Sequence, residues 1–117
     1  MANVVITGST KGIGFGLAKE FASRGHNVVI AGRSQSVVDE AIAKMGAVAG
    51  KVIGGACDTS NNEDVQALWD FAKTSLGSVD IWINNAGIAR TTHPIVEFSE
   101  EYIRAMLNTN VLGTIHG

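Results

Sequence analysis

Residues 3–14 read NVVITGSTKGIG, and this stretch decides the fold. Its first five residues form a β-branched, mostly apolar run that is typical of a buried strand. Three glycines follow with the spacing GxxxGxG, at Gly8, Gly12 and Gly14. An apolar repeat at spacings of three and four begins directly after them and predicts a helix. A strand that passes through a glycine-rich turn into a helix is the first part of a βαβ unit.

The remainder of the chain repeats this alternation. Short runs rich in β-branched residues predict strands at residues 3–7, 27–31, 51–56 and 80–84. Amphipathic patterns predict helices after Gly14, from Ser36, from Asn62 and from Ser99, the first three ending near glycines. Strands that alternate with helices of this length indicate an α/β fold with a parallel sheet and right-handed crossovers.

Length and composition are those of one folded domain. The chain has 117 residues, 45% hydrophobic and 17% charged, and its formal net charge is −2. Because both signs of charge are scattered, we expect neither a nucleic-acid surface nor a basic membrane-binding face. No apolar run approaches the roughly 18 residues of a membrane span, and the first residues carry no leader, so the default expectation is a cytoplasmic protein.

The histidines and the cysteine of the chain show no spacing typical of a metal site. The histidines at positions 26, 93 and 116 lack ligand spacing, so no metal is expected. Cys57, the single cysteine, lies at the end of the predicted third strand and is interpreted as a buried, inert thiol.

The glycine-rich turn is interpreted as a phosphate-binding loop. Gly8 permits the turn out of the strand, Gly12 lets a pyrophosphate approach the backbone, and Gly14 allows close packing of the helix. The N–H groups at the start of the helix then face the anion. The expected contact residues are Gly8, Ser9, Thr10, Lys11, Gly12, Ile13 and Gly14. Such turns also suit tight βα connections, but their place at the first βα turn favours a nucleotide.

The end of the second strand indicates which nucleotide binds. An NAD site usually has an acidic residue there for the ribose 2′-hydroxyl, whereas this chain reads Ala-Gly-Arg-Ser at 31–34. Arg33 can hold a 2′-phosphate, Ser34 can donate its hydroxyl, and Lys11 adds a second cation. The alternative is that these cations are ordinary surface residues. Two cations and the missing acid favour NADP(H) over NAD.

The fourth strand ends in two asparagines followed by Ala86 and Gly87. Asn84 and Asn85 end a buried strand, so their amides must find hydrogen-bond partners. The small residues after them keep the floor of a crevice low enough for a ligand. The alternative is a simple polar turn.

These motifs together resemble the short-chain dehydrogenase/reductase family. TGSTKGIG at 7–14 matches its TGxxxGxG loop, and residues 77–88 fit its GxhDhhhNNAGh pattern. The sequences CDT at 57–59 and TNVLG at 109–113 are similar to two further motifs of the family.

The resemblance implies a Rossmann-like three-layer αβα fold with strand order 3-2-1-4, and an oxidoreductase that transfers hydride between NADP(H) and a small-molecule carbonyl or alcohol. It implies that Asp58 and Thr59 lie at the adenine, that Asn85, Ala86 and Gly87 line the cofactor, and that Asn110 holds a water in a catalytic proton relay. An exposed helical asparagine is the alternative for Asn110. The family also implies a homo-oligomer.

Within the family, several segments look most like chlorophyll b reductases. They are NVVITGST at 3–10, ACD at 56–58 and IWINNAG at 81–87, in which Trp82 is the least generic residue. Packing of a large side chain would also account for Trp82. If this resemblance holds, a plastid location replaces the cytoplasmic default.

The catalytic tyrosine and lysine of the family are not matched within the 117 residues. Tyr102, the single tyrosine, is followed four residues later by Met106, so there is no YxxxK. We therefore expect residues 1–117 to be the NAD(P)-binding domain, truncated before the Ser/Tyr/Lys region and inactive alone, with strand four left as an apolar edge. The alternatives are a non-catalytic NADP(H)-binding or regulatory module, and a truncated product that binds nothing stably.

Overall fold

The computed structural model describes residues 1–86 of the chain. Its elements are β1 (Asn3–Ile6), α1 (Gly12–Ser23), β2 (Asn27–Gly32), α2 (Gln35–Met45), β3 (Val52–Ala56), α3 (Asn62–Leu76) and β4 (Ile81–Ile83). The helix predicted from Ser99, and the expected site residues Gly87 and Asn110, lie outside the described residues.

The four strands form one parallel sheet in the order β3-β2-β1-β4. The chain moves outward from β1 through β2 to β3 and then returns to the other side of β1 for β4. This reversal opens a crevice at the carboxyl ends of the strands, where ligands bind in open α/β sheets. The predicted α/β class and strand order are confirmed.

The sheet is covered on both faces, as the continuous apolar runs predict. One buried cluster joins α1 and α2 to the sheet through Val4, Ile6, Ala18, Val28 and Val38, among others. A second cluster joins α3 to the opposite face through Val5, Val29, Val65, Leu68 and Ala72, among others. The fully buried Val and Ile side chains of β1 and β2 lie at the centre of this core, and burial of each contributes about 1.5–3 kcal/mol.

A polar network that the sequence did not predict ties the amino ends of the strands together. Asn3 is only 8% exposed; its backbone N–H donates to Asp80 Oδ2 at 2.8 Å, and the Asp80 N–H donates to the Asn3 carbonyl at 2.9 Å. Asn27 donates from Nδ2 to Asn3 Oδ1 at 3.0 Å and accepts the Lys51 N–H at 3.1 Å. These bonds fix the register of all four strands opposite the crevice.

In the described sheet, β4 is an outer strand. It is shorter than predicted, and part of its apolar surface is exposed to solvent. It pairs with β1 over residues 81–83, and Ile81 is 40% exposed. Trp82 packs against Trp69 of α3 with a ring separation of 6.0 Å, so large-residue packing accounts for its position. Within residues 1–86, the helices are too short or too polar to cross a membrane.

Candidate functional site

The candidate site lies where the four strands end. Residues 7–14, called here the glycine loop, connect β1 to α1, and Arg33 with Ser34 connects β2 to α2. The turn after β3 carries Asp58 and Thr59, and residues 84–86 follow β4. Because all strands are parallel, these segments meet at one edge of the sheet.

Two glycines of the glycine loop make room for the segment after β4. At Gly8 the φ angle is +60°, and an added Cβ would lie 2.7 Å from the Ala86 Cα. At Gly14 an added Cβ would lie 2.5 Å from Asn85 Nδ2 and 2.5 Å from the Gly8 carbonyl oxygen. The close contacts at Gly14 are with the loop and Asn85, whereas the sequence predicts close packing of the helix on the sheet.

Gly12 differs from the other two because an added Cβ there would meet no atom within 4 Å. Its φ of +63° lies in the left-handed region, so the backbone conformation favours glycine. The bare backbone of Gly12 therefore borders open space at the start of α1. This is the opening that a pyrophosphate needs to approach the chain.

The amino end of α1 is left open to an anion. Its N-cap residue, Lys11, makes no side-chain capping bond, and the first turn contains no acidic residue. By contrast, α3 is capped by Asn61, whose Oδ1 accepts from the Glu63 and Asp64 N–H groups, and has two acids in its first turn. Uncapped N–H groups and the positive end of the helix dipole favour a negative ligand at α1.

Ser9 and Thr10 hold the loop in place. The Ser9 hydroxyl is fully buried, donates to the Ile6 carbonyl at 2.7 Å and accepts the Ala31 N–H at 2.9 Å. The Ser9 N–H donates to the Ala31 carbonyl at 3.0 Å. The donor groups of Ser9 are thus engaged inside the protein, so it shapes the loop. Thr10 lies over Gly32 of β2, where an added Cβ would come within 2.7 Å of Thr10 Cγ2.

The expected contacts to the nucleotide's outer groups are at the surface. Lys11, Arg33 and Ser34 are exposed. The Ser34 hydroxyl forms a hydrogen bond with that of Ser36 at 2.9 Å. Ile13 is 78% exposed, which is unusual for an aliphatic side chain and leaves an apolar surface beside the open end of α1.

Asp58 is held as a carboxylate by Ser60, and the charge of Arg33 acts on it. Its Oδ1 accepts from the Ser60 hydroxyl at 2.7 Å and from the Ser60 N–H at 3.0 Å. The hydroxyl bond is the largest cause that holds the pKa of Asp58 below its ordinary value, and the nearby Arg33 charge lowers this pKa further against the opposing effect of burial. The structure thus brings an anion and a cation together beside the buried Thr59.

Thr7 joins the glycine loop to the segment after β4, a role that the sequence analysis missed. Its buried hydroxyl accepts the N–H groups of Asn85 at 3.0 Å and Ala86 at 3.1 Å. Asn85 in turn donates from Nδ2 to the Gly8 carbonyl at 3.1 Å. The predicted partners of the Asn85 amide are therefore found in the loop itself. The position of Thr7 between a buried strand and a glycine was the sequence feature that could have indicated this role.

Asn84 makes a different contact. Its Oδ1 accepts from the Trp82 ring nitrogen at 2.9 Å, so its amide is used by the outer strand rather than by the loop.

The thiol of Cys57 is buried beside this site. Burial, followed by the charges of Asp64 and Asp58, raises its pKa to about 11. The described part of the chain contains no cluster of three His, Cys, Asp or Glu side chains that could hold a metal.

Comparison with known proteins identifies the class of this fold and site. The chain matches the family model described as short chain dehydrogenase over residues 2–117, and it belongs to that family. The predicted family resemblance is confirmed.

Individual relatives extend this result. The chain is 48% identical over 114 residues to chlorophyll(ide) b reductase NOL of Oryza sativa subsp. japonica, a match that covers 95% of the chain and 33% of that protein. It is 45% identical over 130 residues to a probable chlorophyll(ide) b reductase of the same organism, with coverage of 97% and 26%. The predicted similarity to chlorophyll b reductases is confirmed. The chain spans about a third or less of these relatives.

A solved structure gives the same fold. The 3-ketoacyl-(acyl-carrier-protein) reductase from Brucella melitensis, crystallised with NADH, has a TM-score of 0.88 and 31% identity to the chain. The match covers 98% of the chain and 46% of the reductase.

Proposed function

We propose that the chain is the cofactor-binding domain of an NADP(H)-dependent oxidoreductase that interconverts a carbonyl and an alcohol on a small-molecule substrate. The observation that carries this proposal is the open, uncapped start of α1, where Gly12 borders empty space and Lys11 is the N-cap residue. A second cation, Arg33, follows β2 at the same edge of the sheet. Membership of the short-chain dehydrogenase family and the NADH carried by a structural relative support a nicotinamide cofactor.

The residues of the described site fit such a cofactor. The backbone from Gly12 to Gly14, without a competing cap or acid, suits the pyrophosphate. Asp58 and the buried Thr59 lie after β3, where the adenine would be held. The apolar side chain of Ile13, largely exposed, would cover part of the cofactor, and Asn85, Ala86 and Gly87 would form the floor of the crevice.

The preference for the 2′-phosphate would come from Arg33, Ser34 and Lys11. No acidic residue follows β2 directly, so a phosphate there meets no like charge from this turn. The guanidinium can form two parallel hydrogen bonds to a phosphate. Asp58 beside Arg33 would help to orient the guanidinium while leaving a ligand phosphate on its other side.

When bound, the nicotinamide supplies the hydride for the reaction. Asn110 would hold a water that passes protons to the reacting oxygen. In this proposal residues 1–117 form the cofactor-binding domain. The similarity to chlorophyll(ide) b reductases supports a chlorophyll-type substrate and a plastid location. A homo-oligomer is proposed from the family resemblance alone.

The decisive experiment compares NADPH and NADH binding to the wild-type protein and Arg33→Ala by titration calorimetry. Loss of a charge-assisted bond should weaken NADPH binding by roughly 10- to 100-fold and leave NADH binding unchanged. Arg24→Ala is the matched control, because Arg24 is an exposed arginine at the far end of α1 paired with Glu20.

Equal affinities of the wild-type protein for the two cofactors would contradict the NADP(H) proposal. Tight NADPH binding by the full-length protein, without turnover of any carbonyl substrate, would support a non-catalytic NADP(H)-binding or regulatory module instead.

A further inference from the structure

The side chain of Gln35, the first residue of α2, bonds to two elements at once. Its Oε1 accepts the N–H of Ala56 at 3.1 Å, and its Nε2 donates to Asp39 Oδ1 at 2.9 Å. Ala56 is the last residue of β3. Gln35 therefore joins the start of α2 to the end of a strand 21 residues away in sequence.

The place of Ala56 in the sheet leaves its exposed N–H open to an acceptor from outside the sheet. Ala56 is paired with Gly32 of β2, and the next N–H, that of Cys57, donates to the Gly32 carbonyl at 2.8 Å. Successive N–H groups of a strand point in opposite directions, so the Ala56 N–H faces away from β2. In the described sheet β3 is an outer strand, and Gln35 supplies the acceptor that a further strand would have provided.

These two bonds fix two turns of the candidate site relative to each other. The Arg33–Ser34 turn lies between Gly32 and Gln35, and each of these two residues is bonded to the end of β3. Asp58 and Thr59 begin just beyond that end. Two hydrogen bonds therefore set the separation between the Arg33 turn and the Asp58 turn. One joins the Gly32 carbonyl to the Cys57 N–H, and the other joins the Gln35 side chain to the Ala56 N–H.

We propose that Gln35 is a positioning residue for cofactor selectivity: by holding the Ala56 N–H, its side chain keeps the Arg33–Ser34 turn at the distance from Asp58 that a 2′-phosphate requires. This inference rests on the proposed function. Gln35 need not touch the cofactor. Without its bond to β3, the Arg33 turn loses one of the two hydrogen bonds that tie its flanking residues to the end of β3 and can shift relative to Asp58, while the pyrophosphate site at α1 keeps its own contacts.

The test uses Gln35→Met in the full-length protein, since methionine has similar length but no strong acceptor. Gln66→Met is the matched control: Gln66 donates to Asp70 at 3.1 Å with the same four-residue spacing on an exposed helix face, but it bonds to no strand. Titration calorimetry gives the affinities for NADPH and NADH, and circular dichroism gives the melting temperature of each variant.

The expected result is a loss of NADPH affinity of roughly threefold to tenfold in Gln35→Met, the range that one lost hydrogen bond can produce. NADH affinity should be unchanged, and Gln66→Met should match the wild-type protein for both cofactors. The ratio of the two affinities is the informative quantity, because a residue that only stabilises the fold would weaken both cofactors equally.

An equal loss for both cofactors, or no loss for either, overturns the inference. Arg33→Ala, measured in parallel, distinguishes failure of the proposed role of Gln35 from failure of the NADP(H) proposal. If Arg33→Ala abolishes the preference for NADPH and Gln35→Met retains it, only the role of Gln35 is wrong. If the wild-type protein shows no preference, the NADP(H) proposal fails, and the inference that rests on it fails as well.

Discussion

The Thr7 hydroxyl accepts the backbone N–H of Asn85 at 3.0 Å and so joins two loops that are 78 residues apart in sequence. The same oxygen accepts the Ala86 N–H, so one side chain satisfies two amides of the segment after β4. The crevice floor and the glycine loop are therefore a single hydrogen-bonded unit. A substitution that disturbs one of these two segments should therefore also displace the other.

Thr7→Val should test this unit, because valine has the shape of threonine but no acceptor. Two partly buried amides would lose their partner, at a cost of about 1–3 kcal/mol in the free energy of unfolding. NADPH affinity should fall as well, since the loop is no longer held. Urea unfolding and calorimetry measure the two effects. Thr74→Val, on the exposed surface of α3, is the control, and equal effects of the two variants would contradict the role of Thr7.

The fold was predictable because its pattern is local and repeated. Residues 4–6 of β1 and 28–31 of β2 are continuous apolar runs, and the helices show their apolar stripes and end near glycines. Strand order was not a local property; it came from the family resemblance. The boundaries of β4 were less accurate, because a three-residue outer strand leaves little periodicity to detect.

Roles for Gly12 and Arg33 could be proposed from their residue types and places in the sequence, and these cofactor contacts stay predictions. Roles that depend on partners distant in sequence could not be predicted. Ser9 was expected to contact the ligand, yet its donors are used by Ile6 and Ala31. Gln35 attracted no interpretation at all, because an exposed glutamine at the start of a helix gives no sign that it accepts a strand amide.

Gly14→Ala should destabilise the loop. The added Cβ would lie 2.5 Å from both the Gly8 carbonyl oxygen and Asn85 Nδ2, and the former is backbone that cannot simply turn aside. Overpacking of this kind costs about 1–3 kcal/mol. Gly16→Ala, two residues further in the same helix, meets no atom within 4 Å and should instead stabilise by about 0.5–1 kcal/mol. Thermal and urea unfolding of the two variants measure the change in unfolding free energy, which should have opposite signs. Destabilisation of both variants would contradict the role of packing at Gly14.

Gly12→Ala should separate binding from stability. The φ of +63° makes alanine strained by about 1–2 kcal/mol, and the new methyl group would enter the space assigned to the pyrophosphate. Gly46→Ala at the end of α2 is also strained and meets no atom within 4 Å, but its φ of +72° with a ψ of −155° is a combination essentially confined to glycine, so it should cost at least as much stability. We expect a lower unfolding free energy in both variants and a loss of NADPH affinity only for Gly12→Ala. Unaltered NADPH affinity in Gly12→Ala would show that the pyrophosphate does not bind against Gly12.

Asp58 should contribute to the pH dependence of stability. Because its folded pKa lies below its unfolded value, near 3.9, its contribution is present above that pH and is lost as the pH falls through the folded pKa. Ser60→Ala removes the largest cause of the lowered pKa, so the carboxyl should titrate at higher pH. NMR titration of the Asp58 side-chain carbon in both proteins measures this shift. An unchanged titration midpoint in Ser60→Ala would show that the hydroxyl bond does not hold the carboxylate.

Cys57 should be unreactive in the folded protein although it lies beside the site. The thiol is 4% exposed and its pKa is raised to about 11, first by burial and then by Asp64 and Asp58, so almost no thiolate is present at pH 8. Since the folded pKa is above the unfolded value, the neutral thiol stabilises the fold below the unfolded pKa, and this contribution is lost as the pH rises through the folded pKa. Ellman's reagent at pH 8 should react slowly with the native protein and rapidly in urea. Asp64→Asn removes one of the two charges and should raise the native reaction rate without exposing the thiol. A fast native reaction in the unaltered protein would show that Cys57 is accessible and that the end of β3 opens in solution.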